Sequence, residues 1–292
     1  MYCGKLAEKI GTENFICYAD DGYVVVVEDN LEQAKEKVKA LSLAHVNELE
    51  RLGMQVNCGK TEAVVFKKKG EPVLEDLNIA GCMIKSKRAM KVLGVIFDYR
   101  LSWEEHVTNV VKRCQNKIGV LKRIRRNFTE EQALKIITAQ LFSILYYCAP
   151  VWLHTGLRYD LRRLVESMHF KVLRIAIKDH KNQLSKHVVT KRCRRACPDQ
   201  WGQYLSASTL IKIMRDKTPV KLYNLLEKEM YTERRKPNKG KFRYNAEGKI
   251  GKQKFNNRLD HLLRIKDDWL EVGLSNNAIR KILKKTFFDY FD

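Results

Sequence analysis

Two adjacent carboxylates, Asp20 and Asp21, stand between two runs of strand-forming residues in the stretch FICYADDGYVVVVED, residues 15–29. Adjacent like charges repel each other, so a metal ion or a basic neighbour is expected beside them. Carboxylates at the tip of a β-hairpin can bind divalent cations, because the strands fix their positions. Phosphoryl transfer uses two such ions about 4 Å apart to hold the attacking and leaving oxygens. An exposed acidic turn without chemistry is the alternative interpretation.

The residues around this pair follow an α+β pattern. Phe15–Tyr18 and Tyr23–Glu28 are predicted to be strands joined by a tight turn, and an apolar stripe predicts a helix over residues 31–52. Strand-like residues return at 54–66, interrupted by the turn-like residues 57–60. A further hairpin is predicted from residues 77–84 and 90–97, around a basic turn at 85–88.

From Ser102 onwards the chain is predicted to be mostly helical. Ser102 with Glu105, and Thr129 with Gln132, have the spacing of capping boxes that open two helices. Further helices are predicted over residues 161–177, 201–214, 219–230, 259–272 and 276–291. Lys, Arg, Gly and Asn dominate the segment near 231–257, which predicts a mobile linker.

The positive charge of the chain is unevenly distributed. The formal net charge is +22, but residues 1–110 hold 15 Lys+Arg and 17 Asp+Glu, a net charge of −2. Residues 111–292 hold 41 Lys+Arg and 17 Asp+Glu, a net charge of +24. A field of this sign attracts polyanions, chiefly nucleic acid.

The eight cysteines are scattered along the chain, several of them inside apolar segments, which predicts reduced and mostly buried thiols. No apolar run approaches the roughly 20 residues that span a bilayer, and no signal segment follows Met1. We therefore expect an intracellular protein of the cytoplasm and nucleus, without a membrane partner.

Three segments in this order resemble the reverse transcriptase of non-LTR retrotransposons (long interspersed elements): YADD, GMQVNCGKTEAVVF and MKVLGVIFDYRLSWEEHV. The first resembles the third motif of the polymerase palm in that family, and the second resembles the fourth motif. The third resembles the primer grip and the entry to the thumb. Segments further on, LFSILYYCAPVW and LVESMHFKVLRIA, resemble the helical region after the thumb, so the resemblance covers about residues 15–177.

The resemblance implies roles for individual residues. Asp20 would be the main ligand of two Mg²⁺ ions and Asp21 would assist, while Lys60 would be a general acid for the pyrophosphate leaving group. Tyr18 and Ala19 would line the floor beneath the primer end. The residues that would seat the primer strand are Leu93, Gly94 and Val95. A solvated turn lysine and ordinary hairpin packing are the alternatives for Lys60 and for those three residues.

A basic helix after Ser102 would then contact the phosphate backbone of the nucleic acid, with its apolar stripe packed inside a bundle. Simple solvation of these side chains is the alternative, and the charge asymmetry argues against it. The predicted nucleic-acid-binding residues are Lys112, Arg113, Lys117, Lys122, Arg123, Arg125 and Arg126.

The predicted fold is α+β: a partial polymerase palm of antiparallel hairpins plus one helix in residues 1–101, a helical thumb and connection in 102–180, and a basic helical C-terminal region in 181–292. A palm also needs an upstream aspartate and fingers, and the 14 residues before Phe15 contain neither. Two carboxylates should hold Mg²⁺ weakly. We expect a fragment of an RNA-directed DNA polymerase, inactive alone, whose intact form uses an RNA template, a DNA primer and deoxynucleotides.

Two alternatives remain open from the sequence. The chain would instead be a non-catalytic module that binds RNA or an RNA–DNA duplex. In addition, His180, His187, Cys193 and Cys197 would form a zinc site, although their order and spacing do not match the Cys/His knuckle of such elements.

Overall fold

The chain divides by its internal contacts into two units, Met1–Leu101 and Ser102–Asp292. The computed structural model describes residues 14–67, 69–154, 156–224 and 275–288. The predicted linker near 231–257 and the predicted helix over 259–272 lie outside the described residues. The division falls at the predicted change from α+β to helical sequence, whereas the predicted boundary at residue 180 falls within the second unit.

The first unit combines one long helix with three small sheets in its described part. The β1–β2 hairpin is antiparallel, β3 pairs in parallel with β5, β5 pairs antiparallel with β4, and β6–β7 is a second antiparallel hairpin. The elements are β1 (Phe15–Tyr18), β2 (Asp21–Val24), α1 (Leu31–Arg51), a 3₁₀ turn (Cys58–Lys60), β3 (Glu62–Ala63), β4 (Leu77–Ile79), β5 (Cys82–Ser86), β6 (Ala89–Val92) and β7 (Val95–Asp98).

The core of this unit is small. Leu77, Ile79 and Ile84 of the β4–β5 pair are buried together, and Val38 of α1 packs against them. Phe15 of β1 is buried, and its ring centroid lies 4.5 Å from that of His45 on α1. A Cβ at Gly22 would lie 3.2 Å from His45 Nε2, so the absence of a side chain at this position permits the close approach of β2 to α1.

The structure corrects three strand predictions in this unit. Of the strand predicted over residues 54–66, only Glu62–Ala63 forms. The second strand of the first hairpin begins at Asp21, not at Tyr23, so that the turn contains two residues instead of four. The single hairpin predicted over residues 77–97 is wrong, because two hairpins turn at Ala80-Gly81 and Leu93-Gly94. Both turns have two residues at positive φ, which is the type I′ geometry that suits the twist of paired strands.

One cysteine pair departs from the prediction of reduced thiols. Cys58 of the 3₁₀ turn and Cys82 of β5 form a disulfide, with their Cα atoms 5.6 Å apart. Among the described residues, Cys114, Cys148, Cys193 and Cys197 are free thiols. The disulfide attaches the 3₁₀ turn to the β4–β5 pair.

The second unit is helical in its described part. Its elements are α2 (Glu104–Ile124), a 3₁₀ turn (Arg125–Asn127), α3 (Glu130–Ile137), a π-helical segment (Thr138–Phe142), α4 (Ser143–Leu145), α5 (Ala149–Trp152), α6 (Tyr159–Ala176), α7 (Lys186–Cys193), α8 (Pro198–Asp216) and α9 (Asn276–Phe287). The capping box predicted at Thr129 and Gln132 is confirmed. The one predicted at Ser102 is wrong, because Trp103 takes the N-cap position with a left-handed backbone.

The core of this unit lies between α2 and α6. The apolar stripe predicted on α2 is buried, with Val107 and Cys114 fully enclosed, and α6 buries Val165, Val172 and Leu173. A second cluster joins α8 to α9, where Leu210, Leu283 and Phe288 are buried together. Residues 278–283 of α9 therefore dock on a helix that precedes them by more than sixty residues.

Candidate functional site

The β1–β2 hairpin presents the two carboxylates at its tip. Tyr18 pairs with Asp21, so only Ala19 and Asp20 form the turn. Ala19 has a φ of 54°, a left-handed value that costs a residue with a side chain about 1 kcal/mol or more. Asp20, Asp21 and Tyr18 are all exposed. The turn thus holds the predicted residues together at an accessible place.

Tyr23 links this tip to another predicted site residue. Asp21 and Tyr23 are two residues apart on β2 and therefore share a face of the strand. The Tyr23 hydroxyl donates to Asp21 Oδ2 over 3.3 Å, and the backbone N–H of Leu93 donates to the same hydroxyl group. Burial, followed by the charge of Asp21, raises the pKa of Tyr23. One phenol thus joins the carboxylate to the turn between β6 and β7.

The predicted primer-seating residues differ in exposure. Leu93 is exposed and has a φ of 46°, and Gly94 follows it with a φ of 88°. Val95 of β7 is only 3% exposed. Leu93 is therefore exposed and Gly94 half-buried, so a ligand can reach both, whereas the Val95 side chain is buried.

Lys60 stands in a separately anchored turn. Asn57 caps the 3₁₀ turn by accepting from the Lys60 backbone N–H at 3.2 Å, and the Thr61 hydroxyl donates to the Asn57 carbonyl at 2.9 Å. The Lys60 side chain is exposed. No hydrogen bond or ion pair between described residues joins Lys60 to Asp20 or Asp21. The structure therefore brings Asp21 and Leu93 together but does not bring Lys60 into contact with them.

The carboxylates do not fit a two-ion centre by themselves. Among the described residues, no group of three or more His, Cys, Asp or Glu side chains could hold a metal ion. This includes the region of His180, His187, Cys193 and Cys197, where no zinc-like cluster is found. Mg²⁺ gives up water reluctantly and needs a dense anionic site, and two exposed carboxylates do not supply one.

A basic surface covers the exposed side of α2 and the turn after it. We call it the α2 basic surface, and it consists of the exposed residues Lys112, Arg113, Lys117, Lys122, Arg123 and Arg126. Residues 106–129 contain no Asp or Glu. Within the described part of the chain, none of the six forms an ion pair, although Lys117 Nζ donates to Gln140 Oε1 at 3.1 Å. These charges are therefore available to a polyanion.

Arg125 does not belong to this surface. It is 5% exposed, and its Nε donates to the carbonyls of Ile175 at 3.1 Å and Ala176 at 2.8 Å. Its Nη1 donates to the Phe128 carbonyl at 2.6 Å. The last carbonyls of a helix lack the regular partner four residues on. The Ile175 carbonyl also accepts from the Lys178 backbone N–H at 3.3 Å, and the guanidinium supplies a further donor to Ile175 and a donor to Ala176. The predicted contact of Arg125 with nucleic acid is therefore wrong, and its role is to join α2 to α6.

Two buried histidines, His106 and His169, belong neither to the hairpin tip nor to the α2 basic surface. The Tyr146 hydroxyl lies 2.6 Å from His169 Nδ1, and the His169 ring stacks on Phe142 with centroids 4.9 Å apart. Burial, followed by the charge of Arg195, lowers the pKa of His169 to about 3. Burial, followed by the charge of Arg113, lowers the pKa of His106 to about 4. Both rings are therefore neutral parts of the core at neutral pH.

Comparisons with protein-family models, curated proteins and solved structures find no match to this chain. Among the described residues, no helix is long and apolar enough to cross a membrane.

Proposed function

We propose that this chain is part of an RNA-directed DNA polymerase of the non-LTR retrotransposon kind. Residues 1–101 would form part of the palm, and residues from 102 would form the thumb and the helical region that follows it. The observation that carries the proposal is the Asp21–Tyr23–Leu93 link, because it brings the acidic turn and the primer-grip turn of the resemblance to one place. The substrates would be an RNA template, a DNA primer and deoxynucleotides.

Catalysis would need a further carboxylate beyond Asp20 and Asp21. Mg²⁺, when bound, would neutralise charge on the phosphates. Within this chain, Asp20 at the turn would face the ion directly, while the hydrogen bond from Tyr23 orients the Asp21 carboxylate. Leu93 and Gly94 would support the primer beside this carboxylate.

Primer extension tests the polymerase proposal. The assay uses an RNA template, a DNA primer and Mg²⁺, with the chain alone and with the chain extended upstream by a palm strand and fingers. We expect extension only in the second case, and its loss in Asp20→Asn. Asp29→Asn, which changes an exposed carboxylate outside the hairpin, is the matched control. Extension that survives Asp20→Asn contradicts the proposed role of Asp20.

The charge of the second unit favours a second candidate, a non-catalytic module that binds RNA–DNA duplex. Residues 102–292 hold 41 Lys+Arg and 19 Asp+Glu, a net charge of +22, while residues 1–101 hold 15 of each. Affinity that depends on phosphate contacts falls steeply with salt, by a slope of about 0.9 per contact in a log–log plot. Strong, salt-dependent duplex binding without extension in any form of the chain would favour this candidate.

A further inference from the structure

The segment after α6 is a second basic feature of the helical unit. Residues 178–194 contain Lys178, Lys181, Lys186, Lys191, Arg192 and Arg194, all of them exposed. Their only acid is Asp179, which forms an ion pair with Arg174 and accepts from the Gln183 backbone N–H at 2.9 Å. The Asp179 carboxylate is therefore already bonded, and these bonds hold the loop that precedes α7.

Some of these cations are already paired and others are not. Lys186 pairs with Glu166 and Arg192 pairs with Glu130, both at 2.8 Å. The remaining four form no ion pair with the residues that the structure describes, namely Lys178, Lys181, Lys191 and Arg194. We call these four residues the α7 basic surface.

The segment is held in a fixed position. Ser185 caps α7 by accepting from the Val188 backbone N–H at 3.3 Å, and Val189 and Cys193 bury the inner side of the helix. The loop before it is tied by Asp179. Charges on such a rigid support lose less conformational freedom on binding than charges on a disordered chain, so each contact contributes more to affinity.

Arg125 brings the two basic surfaces to one end of the unit. Its guanidinium binds the last carbonyls of α6, at Ile175 and Ala176. Arg126 follows it in the chain, and Lys178 comes two residues after Ala176. The pair Arg192–Glu130 makes a second connection between α7 and the start of α3. The end of the α2 basic surface therefore lies beside the start of the α7 basic surface.

The composition of the two surfaces indicates what they would bind. Residues 104–127 and 178–195 contain no Phe, Trp or Tyr. Binding of single strands relies on aromatic rings that stack on bases, whereas duplexes present regularly spaced phosphates to lysine and arginine. Charge without rings suits the backbone of a duplex.

We propose that the α7 basic surface continues the α2 basic surface, and that the two together bind the phosphate backbone of one nucleic-acid duplex. This inference rests on the nucleic-acid binding in the proposed function and extends it to Lys178, Lys181, Lys191 and Arg194. Arg125 is then the residue that positions the two surfaces against each other.

The test measures binding of the full chain to a fluorescent RNA–DNA duplex of about 20 base pairs at several salt concentrations. Lys178→Gln, Lys181→Gln and Lys191→Gln are combined in one α7 variant. Lys112→Gln, Lys117→Gln and Arg123→Gln form the α2 variant. The control combines Lys39→Gln, Lys69→Gln and Lys85→Gln, which remove the same charge from exposed positions of the first unit. Melting temperatures verify that all variants fold.

We expect the α7 and α2 variants each to reduce the salt slope by about 2 to 3, since each removes three phosphate contacts, and we expect the control to keep the slope of the unchanged chain. If only the α2 variant reduces the slope, the inference is wrong and the proposed nucleic-acid binding stands. If neither variant differs from the control, both the inference and the proposed nucleic-acid binding by the second unit are wrong. A single strand of equal length that binds as tightly as the duplex also overturns the inference.

Discussion

The hydroxyl group of Tyr23 takes part in two hydrogen bonds that connect parts of the chain seventy residues apart. It donates to Asp21 and accepts from the Leu93 backbone. The motif pattern of the sequence names Asp21 and Leu93, but it gives no reason to single out Tyr23. Alternation along β2 places Tyr23 on the same face as Asp21, and this is the signal that identifies it once the start of the strand is known.

Replacing Tyr23 with Phe tests this connection. We expect the free energy of unfolding of the first unit to fall by about 1 kcal/mol, the usual net value of a hydrogen bond, because the Leu93 backbone N–H loses its acceptor. Urea unfolding measures the change. Tyr18→Phe is the control, since Tyr18 is 64% exposed. Equal effects of the two substitutions would contradict the proposed role of the Tyr23 hydroxyl.

Buried histidines make the stability of the second unit depend on pH. His106 and His169 have folded-state pKa values of about 4 and about 3, below the unfolded value near 6.5. The unfolded chain therefore binds protons below pH 6.5 that the folded chain does not. The contribution of the two neutral histidines to the free energy of unfolding is fully present above pH 6.5. It is lost as the pH falls from 6.5 towards their folded-state pKa values, by up to about 1.4 kcal/mol per pH unit for each histidine.

Urea unfolding at pH 7, 6 and 5 measures this loss in a range where most carboxylates stay charged. His169→Gln should reduce the change in the second unit's free energy of unfolding between pH 6 and pH 5 to about half, because His106 and His169 contribute about equally in this range. For each protein, the free energies of unfolding at pH 6 and pH 5 are expressed relative to the value of the same protein at pH 7. A general loss of stability caused by the substitution therefore does not affect the slope. An unfolding free energy that stays constant from pH 7 to pH 5 would contradict the assignment.

At the scale of secondary-structure elements, the helices follow from the sequence more closely than the strands do. Residues 31–52 and 161–177 were predicted as helices, and the structure has Leu31–Arg51 and Tyr159–Ala176. Their apolar residues recur at helical spacing over five turns or so, which leaves little ambiguity. Residues 186–193 form α7 without such a stripe, and the sequence did not predict that helix.

The hairpins were harder to predict because their turns use unusual residues. Ala80 and Leu93 adopt φ values of 52° and 46°, which glycine or asparagine ordinarily take. The basic residues 85–88 look like a turn but include the end of β5 and the approach to β6. Pairing between strands, which local sequence does not encode, decides between these possibilities.

Arg125 and Arg126 are adjacent arginines with different roles. Arg125→Met should lower the free energy of unfolding by about 2 to 4 kcal/mol, because the buried carbonyls of Ile175 and Ala176 and the partly buried carbonyl of Phe128 lose a charged donor. Arg126→Met should leave stability nearly unchanged, because the side chain is exposed. Urea unfolding of both variants measures the difference. Equal losses of stability would contradict the assignment of Arg125 as the residue that joins α2 to α6.

At the scale of the whole molecule, charge and secondary structure divide at the same place. The first unit is neutral overall and carries the acidic turn, while the second unit carries the entire net charge of +22. Charge of this kind governs long-range attraction of a polyanion more than it governs the fold. The sequence predicts this division well, because composition does not depend on how strands pair.

Separate production of the two units tests the division. Residues 102–292 should bind duplex nucleic acid with an affinity that falls steeply as salt rises, and residues 1–101 should bind weakly at all salt concentrations. Fluorescence anisotropy at several salt concentrations measures both, with circular dichroism to verify folding. Binding by folded residues 102–292 that does not change with salt would remove the electrostatic argument.

The π-helical segment Thr138–Phe142 has a consequence for variation in chain length. Such a segment accommodates one extra residue within a helix, and its members Ala139 and Gln140 are exposed. Deleting one of them should let the turn relax to ordinary α geometry, with Tyr146 still facing His169. The middle of α2 contains no π-helical segment that could absorb a deletion. Loss of one residue there would rotate every following side chain by about 100° around the helix axis. Homologues of this protein, where they differ in length, should therefore tolerate loss of a residue at this segment and not within α2.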